Sequence, residues 1–281
     1  MPVSDGKSAA VPCVICGGLT FKDALECEGF SFVRCKFCAL VQRNPQPEKK
    51  EIIARYSSTF GKDYLSYELE NEAAFLKLQQ LALKDAGFDK LEKTLFPRAK
   101  EPPSCLDVGC ATGALLANLR EHGWRVTGVE ISPCAEYAQK ERKLDVRNIP
   151  LEEIKFPNGS FDAVLASHLI EHLNDPRSFL TEVHRILKNN ACVFITTPNI
   201  SGLQARLYGG KWRSAIFDHL YLFSIRTLTN LLESTGFKVE KIRTWGGLAA
   251  GLQPKWLKKP ADFLAKPLSF GDVMIVRGRK I

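Results

Sequence analysis

From Ser104 onward the chain alternates between two patterns. Short runs of apolar and β-branched residues at 105–108, 125–129, 144–147, 161–166 and 191–196 read as strands. Between and after them, 113–122, 133–143, 177–187 and 224–234 carry apolar residues at helical spacing. Regular alternation of this kind marks an open α/β sheet. Two further strand candidates, 237–244 and 273–277, flank a Pro- and Lys-rich insert and bring the expected sheet to seven strands.

The N-terminal part differs. Within 64–91 apolar residues recur three and four apart, as at Phe75, Leu78, Leu81 and Leu83, so 48–100 reads as a helical linker or substrate cap ended by Glu101-Pro102-Pro103. Residues 11–47 are Cys- and Gly-rich and read as hairpins around a metal, and 1–10 as a disordered leader. The α/β domain then occupies 101–281. No repeat is evident. No run approaches the ~20 apolar residues that span a bilayer, and the start lacks a signal-peptide pattern, so the expected location is cytoplasmic.

Composition adds two points. The net charge is +8, and Lys238 to Ile281 alone holds ten Lys or Arg against three Asp or Glu. Pro254-Lys255-Trp256-Leu257-Lys258-Lys259 and Phe263-Leu264 mix basic and apolar residues that would suit an anionic membrane surface, a lid or a subunit contact. Nine cysteines are present, four of them as Cys13-Val14-Ile15-Cys16 and Cys35-Lys36-Phe37-Cys38, eighteen residues apart. Cys13, Cys16, Cys35 and Cys38 suit one tetrahedral Zn²⁺ with no open position, a structural metal. So short a segment needs such a staple, and chelation is expected to disorder the ribbon while the α/β fold survives. Cys27, Cys105, Cys134 and Cys192 read as small buried hydrophobes.

The sharpest chemical signal is Leu106-Asp107-Val108-Gly109-Cys110-Ala111-Thr112-Gly113, running from a strand into a helix. Such a turn brings backbone to a ligand at the sheet's carboxyl edge. A second acid, Glu130, ends the next strand at a spacing that suits both hydroxyls of a ribose. A dinucleotide site wants a glycine triplet cradling pyrophosphate, whereas an acid in the turn repels phosphate. It suits a ligand bearing ammonium and sulfonium charges, which favours S-adenosylmethionine over NAD.

The turn resembles the first motif of class I S-adenosylmethionine-dependent methyltransferases, and Val129-Glu130-Ile131-Ser132-Pro133 resembles the second. Phe156-Pro157-Asn158-Gly159-Ser160-Phe161-Asp162-Ala163-Val164, then Glu171-His172-Leu173 and Glu182-Val183-His184-Arg185-Ile186-Leu187-Lys188, resemble later ones in order over 104–239. Ala111 departs from the pattern, which most often has glycine there. The resemblance implies a doubly wound, seven-stranded Rossmann-like sheet carrying a small N-terminal zinc ribbon. It also implies that Asp107, Gly109 and Gly113 line the methionine end of the cofactor, that Glu130 takes the ribose, that Ile131 lies on the adenine and that Asn148 meets its amine. Cys110, Ala111 and Ser167 complete the expected cofactor set.

His168 follows a strand at the edge where an acceptor should lie, and His172 comes four residues later. His219, in Phe217-Asp218-His219-Leu220-Tyr221-Leu222-Phe223-Ser224, sits in a stretch resembling one found in small-molecule methyltransferases, including ubiquinone-type O-methyltransferases. His219 is the first candidate base and His172 the second, though each could equally pack or orient substrate. His168-Leu169-Ile170-Glu171-His172 also fits an inverted zinc-peptidase string, a reading its place directly after a strand disfavours.

The expected activity is methyl transfer to oxygen or carbon of a small molecule, such as a sugar nucleotide or polysaccharide precursor; residues 35–45 resemble ribbons on bacterial methyltransferases of that kind. RNA methylation is the alternative, favoured by the basic tail but opposed by a ribbon without interleaved aromatic and basic residues. A non-catalytic binding module is the third reading. The oligomeric state is not legible.

Overall fold

The computed structural model describes residues 11–48, 50–52, 59–247 and 269–281. The expected leader 1–10 and the basic–apolar run 254–264 lie outside the described residues. So does any test of membrane contact through that run. Among the described residues no helix is long and apolar enough to cross a membrane.

The ribbon contains β1 (Phe21–Cys27), β2 (Phe30–Cys35) and β3 (Val41–Arg43), all antiparallel. Two helices follow, α1 (Thr59–Ala86) and α2 (Phe88–Leu95), separated by Gly87 at φ 82°. That conformation is cheap only for glycine, so the predicted single helical region bends there.

The α/β part then runs β4 (Ser104–Val108), α3 (Ala114–Glu121), β5 (Arg125–Val129), α4 (Cys134–Lys140), β6 (Val146–Arg147), α5 (Leu151–Ile154), β7 (Phe161–Ser167), α6 (Pro176–Ile186) and β8 (Leu187–Pro198). It continues through α7 (Leu203–Tyr208), β9 (Tyr221–Leu222), α8 (Ile225–Glu233), β10 (Phe237–Trp245) and β11 (Val273–Lys280). Seven strands form one sheet in the order β10-β11-β8-β7-β4-β5-β6. The five on the β6 side are parallel; β11 runs against them, and β10, antiparallel to β11, runs with them at the other edge. This is the expected doubly wound, Rossmann-like sheet.

Every residue of β4 is buried, as in a strand covered on both faces. Strand alternation sends neighbours to opposite layers. Leu106 joins Phe179, Leu180 and Val183 of α6 and Leu228 and Leu231 of α8, whereas Cys105 joins Leu83 of α1, Phe88 and Trp124. Local signals fix the helix starts. Asp175 accepts from Ser178 N at 2.9 Å ahead of Pro176, and Ser224 and Thr227 form a reciprocal cap on α8.

Three expectations shift. In α1 only Leu83 of the predicted stripe is buried; Leu78 is 50% exposed and lines, with Phe75, a cavity that this part of the helix roofs, while Leu81, equally exposed, borders neither that cavity nor the core. Leu144 precedes a β6 of only two residues and packs with Cys110 and Leu116. Cys27 is half-buried, unlike Cys105, Cys134 and Cys192, which are fully enclosed as expected.

The ribbon is also joined to the α/β part. β3 pairs with β9, Val41 opposite Leu222 and Gln42 opposite Tyr221, giving a four-stranded sheet β1-β2-β3-β9. Cys13, Cys35 and Leu40 share one apolar cluster with Leu220, Tyr221 and Phe223.

Candidate active site

Parallel strands leave β4 toward both sides of the sheet, to β5 and to β7, so the chain order reverses at β4 and opens a crevice at the strands' carboxyl ends. The turn after β4 borders it. Gly109 and Gly113 have φ of 77° and 76°, and a Cβ on Gly113 would lie 2.6 Å from Leu144 Cδ1. Ala111 is also left-handed at φ 46°, which for an L-residue costs about 1–2 kcal/mol and explains why glycine is the usual choice. Glu130 holds it there: its Oε2 accepts from Ala111 N at 3.0 Å and its Oε1 from Ser132 N at 2.8 Å. The acid after β5 therefore fixes both turns at once.

Asp107 lies beneath this turn, 2% exposed, and its Oδ1 has no hydrogen-bond partner. Burial first, and the neighbouring Glu130 charge second, push its carboxyl up to about 7. Glu68 of α1 accepts the Tyr64 hydroxyl, and burial together with Glu130 raises it too. A cation here would relieve both Asp107 and Glu68.

A cavity of about 770 Å³ spans these strand ends. Gly109, Ala111, Glu130, Ile131, Ser167, His168, His172 and His219 line it, so most of the sequence-predicted set is brought together. Asp107, Cys110, Gly113 and Asn148 are not: Asp107 is enclosed beneath the turn, next to the lining residue Val108. The Cys110 side chain packs toward Gly128 and Leu116, and its amide donates to Val129 O at 3.2 Å. Gly113 serves the turn into α3, and Asn148 donates its amide to Glu130 O at 2.7 Å, bracing the acid from outside. The roof is α1, whose Tyr64, Glu68, Phe75 and Gln79 face the cavity. Glu72 pins that roof, accepting Thr112 Oγ1 at 2.7 Å and pairing with Arg142.

At the β7 end, His168 sits at φ 50° with its Nδ1 3.3 Å from Glu171 Oε1. Ile170–His172 is a single 3-10 turn, not the long helix a zinc peptidase requires. Glu171 is fully buried and accepts from Thr197 Oγ1 at 2.9 Å. Burial opposes its charge, but the three histidines prevail and hold it at about 2. The His172 and His219 rings meet edge to face with centroids 4.7 Å apart. Their Nδ1 atoms reach Asp218 O at 3.0 Å and Ser214 O at 2.7 Å, contacts that require Nδ1–H and leave Nε2 as the basic nitrogen. Desolvation lowers His172 to about 4 and lowers His219 as well, so both rings are neutral near pH 7. Sequence reasoning named Glu171 only inside a motif and gave no role to Arg213, which lines the same cavity.

The ribbon brings its four cysteines together. Cys13 and Cys38 sulfurs lie 3.2 Å apart, those of Cys16 and Cys35 3.5 Å, and all four fall within 4.8 Å of one another. Those separations exclude disulfides, and the two short ones are somewhat tighter than the tetrahedral edge of about 3.8 Å that Zn–S bonds of about 2.3 Å would give.

Comparison with known proteins decides the family. Residues 79–242, more than half of the chain, match the family model described as a methyltransferase domain. This chain belongs to that methyltransferase family. Its methyltransferase domain has the Rossmann-like fold that the sequence motifs implied. The methyltransferase is 29% identical over 139 residues to a probable S-adenosylmethionine-dependent methyltransferase of Mycolicibacterium smegmatis, covering 48% of this chain and 52% of that protein. It is 35% identical over 102 residues to a ubiquinone biosynthesis O-methyltransferase of Dechloromonas aromatica, covering 34% and 44%. The matches span about half the length of these relatives, or less. Among solved structures it resembles the complex of the Haloferax volcanii Trm112 methyltransferase activator with a methyltransferase, at TM-score 0.59 and 18% identity over 82% of this chain and 97% of that one. It also resembles an S-adenosylmethionine-dependent methyltransferase of Thermotoga maritima, at TM-score 0.56 and 23% identity over 82% and 99%. At these identities the two structures share the fold.

Proposed function

We propose that this methyltransferase acts on an oxygen or carbon of a small-molecule acceptor held in the 770 Å³ cavity, with His219 as general base. The observation that carries the reading is one cavity with Glu68 and Glu130 at the β4–β5 end and two neutral histidines, the half-buried His172 and the buried His219, at the other.

S-adenosylmethionine, when bound, supplies a methyl group on a sulfonium. Asp107 and Glu130 suit it: the unpartnered, desolvated Asp107 carboxyl is completed by an ammonium, and the braced Glu130 carboxylate retains lone pairs for ribose hydroxyls. Ile131 offers an apolar surface to the adenine, and Ser167 and the Gly109–Ala111 backbone border the methionine end. The chain's own work is to align an acceptor and remove its proton. Alignment carries most of the acceleration in a displacement that neutralises charge. His219, held by Ser214 O and neutral at pH 7, presents Nε2 for a hydroxyl or acidic C–H proton, and Glu171 stabilises the imidazolium that results. His172 packs against that ring and His168 against Glu171.

A second reading has one observation in its favour. Ligand atoms of Glu171, His172 and His219 lie within 4.8 Å of one another, a set that would hold a divalent cation in place of a proton relay. Activity of metal-stripped enzyme with and without added Mg²⁺ separates the two.

The four ribbon cysteines would hold a structural Zn²⁺. The ubiquinone-type relatives support a small-molecule acceptor over RNA. A methyl-transfer screen over metabolite pools with His219→Ala as control tests the proposal: wild type should label a small metabolite, and the variant should fall by a factor on the order of 10²–10³ in kcat. Labelling confined to RNA would contradict it.

A further inference from the structure

Arg213 lines the cavity with its side chain 63% exposed, yet it is firmly tethered. Its Nε donates at 2.5 Å to Asp272, a fully buried carboxylate whose other oxygen takes the indole N–H of buried Trp212. Asp272 is itself fixed, its amide bonded to Gly246 O and its carbonyl to Asn199 N. A guanidinium carries five N–H donors in a planar fork, and this tether occupies one edge. Among the described residues no hydrogen bond uses its terminal nitrogens. The next residue, Ser214, supplies the carbonyl that orients His219. One short segment therefore sets both the base and a cation at the acceptor end.

A buried aspartate needs a counter-charge, and Arg213 meets that need. That alone does not account for a guanidinium with its free edge in a cavity. Held from behind by a planar partner, it is prearranged for two parallel hydrogen bonds to a carboxylate or phosphate. Glu68, Glu130, Glu152, Asp175 and Asp218 line the same cavity. The field there is not broadly positive, so an anion would be held by contact with Arg213 itself.

We infer that Arg213 binds an anionic group of the methyl acceptor, a phosphate or a carboxylate, through the fork edge that Asp272 leaves exposed. The inference rests on the cavity being the acceptor site. It makes the acceptor a charged metabolite in which the anion sits apart from the atom methylated, so that His219 and Arg213 grip different ends.

Calorimetry on S-adenosylmethionine-saturated protein reads this without turnover, with inorganic diphosphate and benzoate as separate probes of the phosphate and carboxylate sources. Wild type should bind one of them in the millimolar range. Arg213→Gln should weaken that binding about tenfold or more, and Arg213→Lys, which keeps the charge against Asp272 but loses the fork, should fall between. Thermal melts confirm that each variant is folded. Equal binding of both probes by wild type and both variants would overturn the inference, as would wild type that takes up S-adenosylmethionine but neither probe at tens of millimolar. Absence of S-adenosylmethionine binding would overturn the proposed function, and this inference with it.

Discussion

Arg43 in the metal ribbon donates Nη1 to the carbonyl of Phe217 at 2.9 Å, and its guanidinium lies 3.8 Å from the centre of the Phe217 ring. Its amide bonds Leu220 O at 2.8 Å, so one ribbon residue grips the chain on both sides of His219. The ribbon thereby braces, from behind, the segment that carries His219 into the cavity, and β3 and β9 connect the four-cysteine cluster to it.

Arg43→Ala is expected to lower kcat about tenfold while the dissociation constant for S-adenosylmethionine stays within about twofold, since the cofactor turn lies on the other side of the cavity. Arg43→Lys should restore part of the loss by keeping a cation on the ring. Chelation of the ribbon metal should reproduce the Arg43→Ala pattern. It should also expose the edge formed by Tyr221 and Leu222, read as faster amide exchange there. The sequence suggested a separable module; the shared sheet predicts coupling.

Asp107 should give cofactor binding a pH signature. Burial and Glu130 hold its carboxyl at about 7 without ligand, and a cation would stabilise the ionised form. Binding must therefore release a proton below pH 7, and affinity should rise as pH goes from 6 to 8. Calorimetry in buffers of different ionisation enthalpy reads the released proton. Asp107→Asn should bind more weakly and lose this dependence.

The fold was legible where pattern repeats over many residues. Strands β4, β5, β7, β8, β10 and β11 and helices α3, α4, α6 and α8 each carry enough apolar residues at one period to declare themselves. The glycine turn after β4 was legible because its left-handed glycines and the two acids beside it are adjacent in sequence or one strand apart. What escaped depends on distance along the chain. β9 is two residues long and shows no alternation, and its pairing with β3 joins positions about 180 residues apart. Arg213 matters because Asp272 stands behind it, and neither residue announces the other. The α1 stripe misled because apolar residues that roof a cavity and those that pack on a sheet share one spacing.

His172 should make the protein acid-sensitive. Its folded pKa of about 4 lies below the ordinary 6.5, so between these values the unfolded chain holds more protons and stability falls on acidification. From pH 7 to 5 the loss is roughly 2 kcal/mol at 1.36 kcal/mol per unit. Glu171, held at about 2 against an ordinary 4.5, adds its own loss only below that range. Urea melts at both pH values should show this difference in wild type and much less of it in His172→Gln.

If the carboxylates at the ends of β4 and β5 hold S-adenosylmethionine, titration of the cofactor into wild type and Glu130→Ala will separate the two proteins. Wild type should bind one equivalent, and the variant, folded by its melting curve, should bind about tenfold or more weakly for loss of a charged hydrogen-bonding group. A folded Glu130→Ala protein that binds S-adenosylmethionine as tightly as wild type would rule these carboxylates out as its site.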